Sequence, residues 1–349
     1  MKNETLIPRL LASRKFAGFS PRLSRMRYVM RTGGVCILLL GFALNLAYAE
    51  QQSAVSPDDV VSSSLPRYSV AFQSNRDGNN EIYVMDPDGT NPTRLTFDPR
   101  DDRQPDLSPN GKQIVFASNR ITDTNPEGDF EIFVMNSDRS ELRQLTLNAA
   151  ANPNNADDEW PRWSPNGKWI AFHSNIDGNY EIYVIRPDGT DLTRVTTYPG
   201  LDQFPEWSPS SKRLAIRRDS DIYVIRADGS NPKQLTSQAA INQMASWSAD
   251  GEQIAFMSTR EGYPSVFVMY ADGSNQVNLT PKPDNVPASK WSSRAPAWWR
   301  NGHYLYFTAR RPDIDSGGPE NILAMNADGT GVARLTFADR SENALATVR

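Results

Sequence analysis

The sequence predicts an all-β chain: a six-bladed propeller of four-stranded antiparallel blades. Three observations lead there. A short apolar strand recurs six times, beginning at Glu81, Glu131, Glu181, Asp221, Ser265 and Asn321. Before each copy lies a second strand, starting at Ser69, Gln113, Trp169, Arg213, Gln253 and Tyr304, and after each comes a Leu-Thr or Val-Thr pair. The period of about 40 to 50 residues, with tight turns between short strands, is that of blades set around an axis.

Residues 1–31 are basic and unpatterned, residues 35–46 are mostly apolar, and Ala47-Tyr48-Ala49 gives a small-x-small site before Glu50. Residues 1–49 therefore read as a cleavable secretory signal peptide, with an uncleaved anchor as the alternative. The apolar run is shorter than the roughly 20 residues of a membrane-spanning helix, so the membrane is met only in transit. Met26 or Met30 would open a leader of more ordinary length. Residues 50–65 are polar, serine-rich and short of aromatics, which predicts a flexible leader into the propeller of residues 66–349.

Up to Ala49 the chain carries +7, against −4 for the whole, which leaves −11 for the exported part. That balance argues against nucleic acid and anionic membrane as partners. The single cysteine, Cys36, lies upstream of the repeats, so disulfides contribute nothing to the propeller.

Within each unit, four consecutive apolar residues such as Ile82-Tyr83-Val84-Met85 predict a strand covered on both faces. Asp86-Pro87-Asp88-Gly89 then reverses the chain: proline presets φ and glycine accepts the left-handed conformation. Arg139 stands where this glycine belongs, and Ser210-Ser211 replaces an Asn-Gly turn. A non-glycine residue there costs roughly 1–2 kcal/mol, so these two turns are expected to take another geometry. The first strand of the unit, as in Pro161-Arg162-Trp163-Ser164, is clear only five times. Its sixth copy is placed at Ala344–Val348, so that the C-terminus completes the first blade and closes the ring.

The elements Trp163-Ser164-Pro165-Asn166-Gly167-Lys168 and Ser174-Asn175-Ile176-Asp177-Gly178-Asn179, with the repeated Asp-Gly-Thr, resemble the repeats of the TolB-type six-bladed propeller family. The resemblance covers residues 66–349. It implies a rigid, non-catalytic binding scaffold of the cell envelope. TolB itself has an α/β domain ahead of its propeller, and only residues 50–65 occupy that place here.

Turns joining first to second and third to fourth strands are nearly uniform, whereas the opposite face carries longer, divergent loops, the usual seat of recognition. Asp102, Asp158, Asp202, Asn242, Ser293 and Glu342 share one alignment column and are expected to ring the channel mouth on that face. Two readings of the column stand side by side. Its carboxylates could hold a cation such as Ca²⁺, with Asp102, Asp158, Asp202 and Glu342 as candidate ligands. Alternatively, each residue caps local backbone amides. Trp160, Phe204 and Met244 share a neighbouring column and either contact a partner or pack. His173 is expected to border the same face.

No Gly-x-Ser-x-Gly elbow, His-Glu-x-x-His site or phosphate loop is present, and the chain has only two histidines. The expected function is therefore a monomeric, periplasmic or secreted, non-catalytic module. It would bind an envelope protein or peptide through its loop face and acidic mouth, with no cofactor required. The alternative is a carbohydrate-binding or carbohydrate-active propeller, since paired carboxylates could serve glycoside chemistry.

Overall fold

The computed structural model describes residues 70–147, 156–237, 239–299, 301–315 and 318–337, and the backbone of 342–347. The expected signal peptide (1–49) and leader (50–65) lie outside the described residues.

Six four-stranded antiparallel sheets form the blades of an all-β propeller. Blade 1 contains β1 (Val70–Ser74), β2 (Glu81–Met85) and β3 (Thr93–Arg94), and blade 2 contains β4 (Asp102–Leu107), β5 (Gln113–Ser118), β6 (Glu131–Asn136) and β7 (Arg143–Gln144). Blade 3 runs from β8 (Asp158–Trp163) through β9 (Ile170–Ser174) and β10 (Glu181–Ile185) to β11 (Thr193–Arg194). Blade 4 follows with β12 (Asp202–Trp207), β13 (Arg213–Arg218), β14 (Asp221–Arg226) and β15 (Lys233–Gln234). Blade 5 is β16 (Asn242–Trp247), β17 (Gln253–Ser258), β18 (Ser265–Tyr270) and β19 (Val277–Asn278). Blade 6 is β20 (Ser292–Trp298), β21 (Tyr304–Arg310), β22 (Asn321–Asn326) and β23 (Ala333–Arg334). The last strand, β24 (Glu342–Thr347), lies antiparallel to β1, with Val70 opposite Thr347 and Ser74 opposite Glu342.

The core is a set of layers between sheets. Ala71, Ile82 and Val84 of blade 1 pack on Leu107, Ile114 and Phe116 of blade 2, while Val115, Ile132 and Val134 on the other face of blade 2 pack on Trp163, Ile170 and Phe172. Both faces of the middle strands are thus covered, which is why they read as unbroken apolar runs rather than alternating ones. Each such side chain contributes about 1.5–3 kcal/mol by leaving water. Trp163, Trp207, Trp247 and Trp298 are all buried in these layers, as packing residues.

The fourth strands are shorter than the Arg-Leu-Thr pattern suggests, two residues each. The reason is a threonine. Leu95 N–H still donates to the Ile82 carbonyl, but the Thr96 hydroxyl accepts the Ile82 N–H at 2.8 Å, replacing the next backbone rung. Thr146, Thr196, Thr236, Thr280 and Thr336 do the same in the other blades.

The two irregular turns correct an expectation. Arg139 (φ 74°) and Ser211 (φ 57°) adopt the left-handed conformation of their glycine siblings. Arg139 N–H donates to the Asn136 carbonyl at 2.9 Å, as Gly89 N–H does to Asp86 at 3.0 Å. Asp138 Oδ1 accepts the Ser140 N–H beside it, so the hydrogen-bonded frame of the hairpin imposes the geometry and absorbs the local strain.

Candidate functional site: the axial channel

Because the blades are antiparallel, the innermost strands all begin on the loop-rich face and run along the axis. Five of them share a β-bulge. In β4 the register shifts between Arg103 and Asp106, and β8, β12, β16 and β20 shift at the same place. The residue inside each bulge is left-handed: Gln104 (φ 55°), Trp160 (55°), Phe204 (53°), Met244 (56°) and Ala295 (45°). A bulge inserts one residue and re-aims its side chain. Proline follows at 105, 161, 205 and 296, where no N–H is needed for the ladder.

The N–H left over by three of these bulges is taken by a side chain. Gln104 N–H donates to Gln73 Oε1 (2.9 Å), Trp160 N–H to Gln104 Oε1 (2.9 Å) and Phe204 N–H to His173 Nδ1 (3.2 Å). Trp160, Phe204 and Met244 then line a cavity of about 570 Å³, counted with its open mouth, together with Arg162 of β8, Glu206 of β12 and Asp106 of β4. Trp160 meets Phe204 edge to face, with centroids 4.8 Å apart. Arg162 Nε lies 3.2 Å from Glu206 Oε2, and Asp106 Oδ2 accepts the Trp163 N–H at 2.6 Å. The channel is therefore an apolar crescent across blades 3 to 5 above a charged, internally paired floor.

The expected acidic ring is placed differently. Asp102, Asp158, Asp202, Asn242 and Ser293 are 0–2% exposed and turn into the junctions between blades rather than toward the channel. This corrects the reading of these residues as an open, acidic mouth, for a bare carboxylate at that depth needs a counter-ion. Arg120 Nη2 bridges both Asp102 oxygens at 2.8 Å, and Arg218 grips Asp202 bidentately at 2.8 and 2.7 Å. Burial still holds both carboxyls above their usual range, the arginines offsetting it only in part. Asn242 Oδ1 accepts from Arg260 Nη2 at 3.1 Å. Arg120 itself is buried and lies over the Phe133 ring. The side chain of Glu342 lies outside the described residues.

The same geometry bears on the calcium reading at Asp102 and Asp202. Among the described residues no three carboxylates or imidazoles converge, and the oxygens of Asp102 and Asp202 are already occupied by guanidinium groups.

His173 is also buried, 1% exposed, and does not border the face. Its Nδ1 accepts from Phe204, so the proton sits on Nε2, which faces Glu159 Oε2 at 3.8 Å. Burial depresses its pKa and keeps the ring neutral. Burial alone would raise the Glu159 carboxyl, but His173 and the 3.2 Å hydrogen bond from Gln104 Nε2 hold it below the ordinary range. His173 acts from behind, bracing the bulge that presents Phe204.

Sequence reasoning found Trp160, Phe204 and Met244 through their shared column. It missed Asp106, Arg162 and Glu206. The available signal was a charged residue between proline and a large apolar residue, Leu107, Trp163 or Trp207, on a strand otherwise buried.

Residues 197–295 match the TolB beta propeller domain, PD40. Within that stretch the chain is similar to the TolB propeller repeats. A TolB homolog of Chlorobium luteolum is 31% identical over 148 residues, covering 42% of this chain and 30% of that protein. TolB of Acinetobacter baumannii superposes with a TM-score of 0.65 at 20% identity, over 88% of this chain and 71% of that one. Enzymes carry related propellers too. Dipeptidyl-peptidase 5 of Porphyromonas endodontalis is 34% identical over 113 residues, 32% of this chain and 16% of that one. An oligogalacturonate lyase of Vibrio parahaemolyticus shares the fold alone, with a TM-score of 0.51 at 10% identity over 80% of this chain and 79% of that one. The chain thus spans less than a third of the length of the named curated relatives.

Proposed function

We propose that this TolB-like propeller is an exported, non-catalytic module that binds an extended segment of an envelope protein through the loop-face mouth of its channel. One observation carries the reading: three bulges in adjacent blades turn Trp160, Phe204 and Met244 into the channel, against the alternation of their strands. Large apolar side chains held half-buried on rigid strands make binding anchors, because little conformational freedom is lost when a partner covers them. The paired floor of Arg162 and Glu206 offers hydrogen-bond donors and acceptors to a peptide backbone. Export rests on the basic, apolar and small-residue pattern of residues 1–49.

The test is capture from envelope extract with immobilised protein. Trp160→Ala combined with Phe204→Ala is expected to reduce partner recovery at least about tenfold, the effect of losing roughly 1.4 kcal/mol. Asp102→Asn, at a buried position, is expected to leave recovery intact in the folded fraction. Undiminished recovery by the double variant would remove the channel from the interface. The competing glycan reading predicts that envelope polysaccharide, and no protein, is retained by the same aromatic pair.

A further inference from the structure

The junctions of blades 1 and 2, 2 and 3, and 3 and 4 contain the same buried group: a glutamate opening the third strand, the threonine already described, and the aspartate that opens the next inner strand. Arginines from three positions serve it, two at each of two junctions. At the junction of blades 1 and 2, Glu81 is met by Arg94 Nη2 (2.7 Å) and Asp102 by Arg120. Between blades 3 and 4, Glu181 is met by Arg194 Nη2 (3.0 Å) and Asp202 by Arg218. In both, two buried carboxylates face two guanidinium groups.

Between blades 2 and 3 the acids remain and all three arginine positions are neutral. Gln144 stands where Arg94 and Arg194 stand, Ile176 where Arg120 stands, and Ser174 where Arg218 stands. Glu131 and Asp158 are 1% and 2% exposed. Glu131 accepts from the Thr146 hydroxyl. The Asp158 carboxyl lies within hydrogen-bonding reach of Ser174, Thr146 and Glu131, yet its Oδ1 has no donor among the described residues. Among the described residues Asp129, which adds negative charge, and Tyr180 also face it. Its backbone is pinned, N–H to the Phe130 carbonyl at 2.7 Å.

We propose that Glu131 and Asp158 share one proton across the junction of blades 2 and 3 and so form a pH-sensitive latch, closed when the pair carries one charge and loosened when it carries two. Two adjacent carboxylates in a dry site cannot both ionise without large repulsion. Burial pushes the Asp158 carboxyl up to about 7. The unfolded chain loses this proton near pH 4 and the folded chain near pH 7, so the latch contributes stability at low pH that declines as pH rises through that window and is gone above it. Asp158 lies two residues before Trp160 on β8, so the latch also sets how firmly the aromatic edge of the channel is held.

The test compares melting temperatures of the full-length protein and its Asp158→Asn and Glu131→Gln variants between pH 5 and pH 8, the difference cancelling other titrating groups. Asp158→Asn, which has no proton to lose at that position, is expected to gain at least about 3 °C on the wild type between pH 5 and pH 8, and Glu131→Gln, which leaves Asp158 to ionise without an acidic neighbour, is expected to gain in the same direction. Ile176→Arg, which restores a guanidinium group, is expected to gain in the same direction. A difference that stays flat with pH in both acid variants overturns the proposal. So does a calcium-dependent rise in the wild-type melting temperature at pH 8 that Asp158→Asn abolishes, since a cation, and not a proton, would then hold the pair. If one acid variant fails to fold, the other decides.

Discussion

Arg218→Met isolates what an arginine contributes at a blade junction. The methionine keeps an unbranched apolar stem over Tyr198 and Tyr223, whose rings the guanidinium group now covers at 4.4 and 5.2 Å, while removing the charge. Asp202 is then left buried with two vacated hydrogen bonds and with Glu181 as its charged neighbour. Breaking a buried pair from one side destabilises by about 3–5 kcal/mol, because an uncompensated charge stays behind. For a domain of this size each kcal/mol shifts the melting temperature by about 2–4 °C, so a fall of at least about 6 °C is expected at pH 8. Without Arg218 the Asp202 carboxyl is raised further, so the deficit shrinks as pH falls toward the carboxylate range and Asp202 protonates. Adding Asp202→Asn to Arg218→Met is expected to recover most of the loss at pH 8. Differential scanning calorimetry at pH 8 and pH 5 reads all three proteins. A loss under about 1 kcal/mol, or a double variant no more stable than Arg218→Met, would show that the pair is not holding the junction.

The remaining predictions concern backbone, closure and histidine. A Cβ on Gly229 (φ 82°) would sit 2.0 Å from the Val195 carbonyl, so Gly229→Ala is expected to destabilise by more than about 2 kcal/mol in urea titration, whereas at Gly78 (φ 127°) nothing lies within 4 Å and Gly78→Ala should cost less. Deleting residues 342–349 strips β1 of one ladder; a melting temperature that drops well beyond the effect of trimming a frayed end is expected, and an unchanged one would refute closure by the C-terminus. His173 is held neutral in the fold, so its contribution is present above its ordinary range and lost as pH falls below about 6.5, where the unfolded chain takes up the proton. His173→Gln keeps an acceptor for Phe204 N–H, as Gln73 provides for Gln104, and is expected to flatten that acid limb in a pH series of melting temperatures.

The repeat itself determined most of the architecture. Ile82-Tyr83-Val84-Met85 and its copies could only be strands buried on both sides, and six copies with a second strand before each one required six sheets stacked around an axis. The column of Trp160, Phe204 and Met244 was legible for the same reason: alignment of repeats identifies equivalent positions without coordinates. Where a side chain at such a position points was decided only by tertiary structure. A strand alternates its faces, so Asp102 and Trp160 were expected to look into one channel; the bulge adds a residue between them and their partners, sending the tryptophan to the axis and leaving the aspartate in the junction. Counter-ions were equally hidden, since Arg120 and Arg218 reach Asp102 and Asp202 across a hairpin whose register the sequence does not print. Repetition along a chain fixes which residues are equivalent, whereas charge compensation and channel lining depend on distances of a few ångströms between different strands, and those exist only once the blades are packed.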